Sequence, residues 1–199
     1  MNVALGLKAH SGWAALVVLG SHGEALQVIE RRRLELVEPG GPWAKQPYHA
    51  AKRAKAADAG AVVRRGIASA RRLAVREMRA AVLRARAAGH TVAACAVLAG
   101  NPMPRWTVAE ILAAHFRMHK AEGVLFRDAL ARAARSRRLE LFEIPERELD
   151  QYAERALAKP AGSLRRAIAS LGRSVGAPWG KDQKDASLAA LIALRATVG

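Results

Sequence analysis

The segment Ala186–Leu194 (ASLAALIAL) is apolar almost all round at helical spacing. A helix of that kind is buried rather than laid on a surface, so the fold must enclose it. The elements that can do so are read upstream. Asn2 to Leu7 and Trp13 to Leu19 are Leu- and Val-containing runs separated by Lys-Ala-His-Ser-Gly. Ser21-His22-Gly23 separates the second run from Leu26 to Val37, where Arg32, Leu34 and Leu36 alternate with Arg33, Glu35 and Val37. The pattern predicts a three-strand antiparallel meander.

Pro39-Gly-Gly-Pro42 breaks regular structure, and Trp43 to His49 reads as a loop into a basic helical region over 50–90. Gly60 and Gly66 are expected to interrupt its first part, and Gly89 to end its helix. Thr91–Ala99 (TVAACAVLA) has the look of a buried strand. Thr107, with Glu110 three residues on, predicts a capping box opening a helix to about Arg138. Leu139–Ile144 (LELFEI) is a fifth strand, Pro145–Leu157 a short charged helix, 159–180 a loop-rich connection, and Lys181–Ala196 the closing helix. The order βββαβαβα predicts an α/β domain over 1–199, with a five-stranded mixed sheet flanked by helices.

Charge bears on partners. The chain carries 33 Lys plus Arg against 17 Asp plus Glu, a formal +16, which points to a polyanion such as DNA or RNA. Within 50–90 there are 11 Lys or Arg and two acids, and Arg65, Arg72, Arg79 and Arg86 recur every seven residues as a ridge on one helix face. Basic drift in an arginine- and alanine-rich composition is the alternative source of that charge. The single Cys95 lies in an apolar run and reads as core. With neither a signal peptide nor a long apolar span in view, the expected location is cytoplasmic, away from membranes.

Three groups of residues could carry chemistry. His115, His119 and Glu122 fall at i, i+4, i+7 on the apolar stripe of the helix after the fourth strand. There they would converge on a metal or proton network, or else bond to backbone at the stripe's edge. Asp182 and Asp185 open the closing helix, with Lys181 and Lys184 interleaved; the alternative is that they cap it as N-cap and N3 acids. Lys8, His10, Ser11 and Trp13 gather at the first hairpin, where adjacent His10-Ser11 lacks the geometry of a serine-hydrolase triad. Tyr48 and His49, beside Trp43, could stack on a base or anchor a loop.

Asp182-x-x-Asp185-Ala186 closing a βββαβαβα chain resembles the ribonuclease H-like superfamily, and within it the RuvC type of Holliday-junction resolvase. Gly6 to Ser11, Lys120-Ala-Glu-Gly123 with VLFRDALARAA, and LELFEIPEREL over 139–149 are similar to further segments of that type. The chain also resembles a group of small bacterial proteins sharing HSGWA, QPYHAA and DQKDA segments. The resolvase resemblance implies a nuclease of DNA or RNA, a divalent metal (Mg or Mn) held by four acids, and a homodimer.

Two departures stand out. Lys8 occupies the place of the first-strand aspartate, and Leu98-Ala99-Gly100-Asn101 provides no glutamate at the end of the fourth strand. Two readings follow. One is a metal-dependent phosphodiesterase with Glu122, Asp182, Asp185, His115 and His119 as ligands. His119 or His10 would transfer protons, and the arginine ridge with Lys181 and Lys184 would contact the backbone. The other is a catalytically inactive nucleic-acid-binding or scaffold protein of the same fold, with a reduced site in which Lys8 holds a phosphate.

Overall fold

The computed structural model describes residues 1–23, 25–40 and 42–198. Five strands form one sheet: β1 (Asn2–His10), β2 (Trp13–His22), β3 (Ala25–Glu35), β4 (Thr91–Ala99) and β5 (Glu140–Pro145), in the order β3-β2-β1-β4-β5. The meander is antiparallel, whereas β4 and β5 run parallel to β1. The helices are α1 (Pro42–Lys45), α2 (Pro47–Arg53), α3 (Ala56–Ala87), α4 (Val108–Leu112), α5 (His115–Ser136), α6 (Leu149–Leu157), α7 (Ala161–Ser170), α8 (Gly172–Val175) and α9 (Lys181–Val198). None is long and apolar enough to cross a membrane.

Both faces of the central strands are covered, which is why β1, β2 and β4 read as nearly continuous apolar runs. Val3, Leu5 and Leu7 face one core with Met78 and Val82 of α3 and Phe126 and Leu130 of α5. Ala4, Ala94, Ala96 and Leu98 face a second core with Leu188 to Leu194 of α9, Leu149 of α6 and Ile168 of α7. Alternation along β1 therefore turns Gly6 and Lys8 toward α9.

Gly6 sets how close that helix comes. A Cβ at this position would collide with the Ala186 carbonyl oxygen and press on the Ala190 side chain. Its absence lets the first turns of α9 lie directly on β1. The approach is held from the far edge as well. Arg31 on β3 donates to the carbonyl oxygens of Gly176 (3.0 Å), Ala177 (2.8 Å) and Pro178, just before α9 begins. Trp179 Nε1 donates to the Ile168 oxygen at 3.0 Å.

Several expectations are corrected. Trp43–His49 is largely helical, because Pro47 stands at the start of α2, where its missing N–H costs nothing. Gly66 lies inside a continuous α3 and makes room for Pro47, whose ring a Cβ there would strike; Gly60 is likewise helical. The capping box at Thr107 and Glu110 forms, but its helix stops after Leu112. Ala114 is extended (φ −138°, ψ 129°) before α5 restarts, and Arg117 donates to the Glu110 carbonyl at 3.0 Å. The 159–180 connection contains α7 and α8.

Replacing Gly6 with alanine should cost about 3 kcal/mol or more in urea unfolding, as overpacking against backbone cannot relax by a rotamer change. Gly123→Ala on α5, where a Cβ meets nothing within 4 Å, should instead gain about 0.5–1 kcal/mol.

Candidate functional site

The parallel strands β1, β4 and β5 end on the same side of the sheet, the side on which open α/β sheets place their ligand sites. The end of β1 carries Lys8 and His10, the residue after β5 is Glu146, and the first turns of α9 bring Asp182 and Asp185. Lys8 is only 5% exposed. Its Nζ donates to Asp185 Oδ2 at 2.8 Å and lies 3.1 Å from Glu146 Oε1 and 3.2 Å from Asp182 Oδ1. Three carboxylates thus converge on one ammonium.

Further cations close the cluster. Arg165 Nη1 donates to Asp185 Oδ1 at 2.6 Å, and Lys181 Nζ to Asp185 Oδ2 at 2.6 Å. Arg165 also binds Asp150 (2.7 Å), and Arg127 binds Glu146 (3.1 Å). His10 Nε2 lies 3.1 Å from Asp182 Oδ2, with its ring stacked on Trp13 at 4.2 Å between centroids; the Arg33 guanidinium lies 3.9 Å from the same indole centroid.

Burial alone would raise the Asp185 carboxyl, but hydrogen bonds from Lys181, Lys8 and Arg165 outweigh it and hold the group at about 2. Burial likewise opposes the charge on Lys8, yet Asp185 and Glu146 hold it above the ordinary lysine range. Lys8 and Asp185 therefore hold each other in their charged forms.

Such a centre does not fit the divalent ions that the RuvC resemblance implies. Two-metal chemistry needs carboxylates left uncompensated to take cations. Here Lys8 already occupies their point of convergence, and Asp185 has two more cationic partners. Nor is Lys8 placed to hold a phosphate, since its ammonium is buried among acids. Asp182 and Asp185 are not the N-cap and N3 acids either. Gln183 Oε1 accepts from the Gly180 N–H at 3.0 Å, while Asp185 faces the core.

Glu122 belongs elsewhere. It is buried (4% exposed), and its carboxylate takes the His49 backbone N–H at 3.1 Å and lies 2.8 Å from His49 Nδ1. His115 and His119, which are exposed, stand one turn apart on α5 with their Nε2 atoms 2.9 Å apart. Among the described residues, His49, His115 and His119 form a group whose ligand atoms lie within 4.8 Å of one another. The expected joining of Glu122 with Asp182 and Asp185 therefore gives way to two separate centres.

Tyr48 is 7% exposed and anchors a core with Val63, Ile111 and Met118, so it offers no face to a base. The Arg65, Arg72, Arg79 and Arg86 side chains are exposed on α3, in the layer opposite α9; Arg65 lies over Trp43 and Arg72 pairs with Glu38. Further cations lie nearer the strand ends, and Arg127, Arg147 and Arg165 among them are ones that sequence reasoning passed over. Lys120, Arg127, Arg147 and Lys181 line a groove with Gly100 and Glu146, and Arg147 and Lys181 continue into a second recess with Arg165 and Lys184.

The depressed Asp185 carboxyl has a defined pH signature. A folded value near 2 against an ordinary 3.8 stabilises the fold above pH 4, by about 2 kcal/mol, and that contribution is lost as pH falls from 4 through 2. Asp185→Asn should lower stability at pH 7 by at least that amount and flatten this part of the acid limb in pH-dependent urea unfolding.

No protein-family model and no curated protein sequence matches the chain. Solved structures do. Thermus thermophilus RuvC aligns with 15% identity and a TM-score of 0.49, over 96% of this chain and 92% of that one. T. thermophilus RuvC in complex with Holliday junction substrate aligns with 12% identity and a TM-score of 0.52, over the same shares of the two chains. At that identity the likeness concerns architecture: the chain has the mixed five-stranded, helix-flanked ribonuclease H-like fold of RuvC.

Proposed function

We propose that this protein binds nucleic acid through the sugar-phosphate backbone, in the groove at the carboxyl ends of β1, β4 and β5, without metal ions at the carboxylate cluster. The observation that carries this reading is the Lys8 ammonium in contact with Asp182, Asp185 and Glu146. In a two-metal nuclease, cations must screen the acids before a phosphodiester can approach. Lys8 supplies that screening permanently from within the chain, so the approach is open but the activated water is not provided.

The groove suits a polyanion. Lys120, Arg147, Lys181 and Lys184 lie on its walls around the neutralised acids, and the whole chain carries +16. The similarly folded RuvC is known in complex with a Holliday junction, which makes branched DNA the first substrate shape to test. The phosphodiesterase reading needs Asp182 and Asp185 to serve as metal ligands, and the Lys8 contacts count against it.

Binding to four-way junction, duplex and single-stranded DNA and to RNA should survive EDTA and fall steeply with salt. Lys184→Ala and Arg147→Ala should each weaken it and reduce the log–log salt slope by about 1. No binding to any of these, or Mg²⁺-dependent cleavage abolished by Asp182→Asn, would overturn the proposal.

A further inference from the structure

We propose that His49, His115 and His119 form a binding site for a divalent transition metal of the zinc, cobalt and nickel class, with Glu122 as the carboxylate that orients His49. This site is independent of the nucleic-acid reading and shares no residue with the Lys8 centre.

Two helices build it. His115 and His119 sit four residues apart on α5, so their rings project from one face. His49 reaches the same point from α2, and its ring centroid lies 5.2 Å from that of His115 and 4.8 Å from that of His119. The three ligand atoms fall within 4.8 Å of one another. Around a tetrahedral zinc with bonds of about 2.0–2.1 Å, pairs of ligand nitrogens stand about 3.3 Å apart. The His115 and His119 Nε2 atoms already stand 2.9 Å apart, and the whole group lies within 4.8 Å, near that spacing.

Glu122 gives the group its direction. Its buried carboxylate takes the His49 Nδ1–H, which fixes the tautomer and leaves the Nε2 lone pair free for a metal. The same carboxylate grips the His49 backbone N–H, so ring and main chain are positioned together. A buried acid that holds one histidine in place beside two others fixes the ring in the orientation a metal ligand needs, and its negative charge would offset an incoming cation. All-imidazole ligation selects zinc, cobalt, nickel or copper over magnesium and manganese. Three protein ligands leave a fourth position for water, and the exposure of His115 and His119 keeps it accessible.

The test uses the full chain free of any polyhistidine tag, titrated with Zn²⁺ by calorimetry and with Co²⁺ by visible absorption. The expected result is one ion per chain, the intense d–d bands of tetrahedral Co²⁺, and no displacement by excess Mg²⁺. His119→Gln and His115→Gln, both at exposed positions, should each weaken binding at least 100-fold. Glu122→Gln should weaken it about 10–100-fold. Asp182→Asn should leave it unchanged. Failure of the wild-type chain to bind either ion saturably would overturn the proposal, as would retention of binding by His115→Gln and His119→Gln or its loss in Asp182→Asn.

Discussion

A buried ammonium is tolerable only where anionic groups surround it and replace the water it has lost, and the arrangement around Lys8 is built to that requirement. Asp185 and Glu146 make close contact from one helix and one strand end, Asp182 adds a third oxygen, and Arg165, Lys181 and Arg127 balance the acids from outside. Removing Lys8 or Asp185 would leave the other's charge stranded in a poorly solvated place. The set is mutually dependent, and it ties β1, β5, α7 and α9 to one point.

That point depends in turn on close packing. Glycine at position 6 lets α9 lie against β1, two residues before Lys8, while Arg31 and Trp179 fix the segment that leads into the helix. Were α9 displaced outward by the thickness of a methyl group, Asp185 would recede from Lys8 and the charge match would fail. The same geometry, with an aspartate on β1, would lose its central cation and set four acids against the outer cations Arg165, Lys181 and Arg127, a cluster better suited to binding cations. The residue type at the end of β1 thus sets whether the acids gathered there are compensated from within the chain.

Much of this was legible in the sequence. β1, β2 and β4 declared themselves by apolar runs between turn residues, and α9 by being apolar on all sides. The substitution at Lys8 and the acids Asp182 and Asp185 were also visible, and the structure brings those three together. Glu146 was not, because it stands at the end of the fifth strand rather than the fourth, in a charged segment (ERE) with nothing to mark one acid from its neighbours. His49 stands out in the sequence only as a stacking candidate, and its place beside His115 and His119 was hidden because Trp43–His49 reads as a loop until Pro47, packed against Gly66 of α3, starts a helix there. The break at Ala114 carries neither proline nor glycine; it is spanned by the Arg117 hydrogen bond to the Glu110 carbonyl, which residue propensity does not report.

The claim that Lys8 stands where the ribonuclease H-like fold would otherwise hold metal is tested most directly by measuring Mn²⁺ binding to the wild-type chain and to Lys8→Asp by calorimetry. The account predicts no Mn²⁺ site that depends on Asp182 or Asp185 in the wild type. It predicts the appearance of one in Lys8→Asp, lost again when Asp185→Asn is added. A wild-type Mn²⁺ site abolished by Asp182→Asn or Asp185→Asn would contradict it.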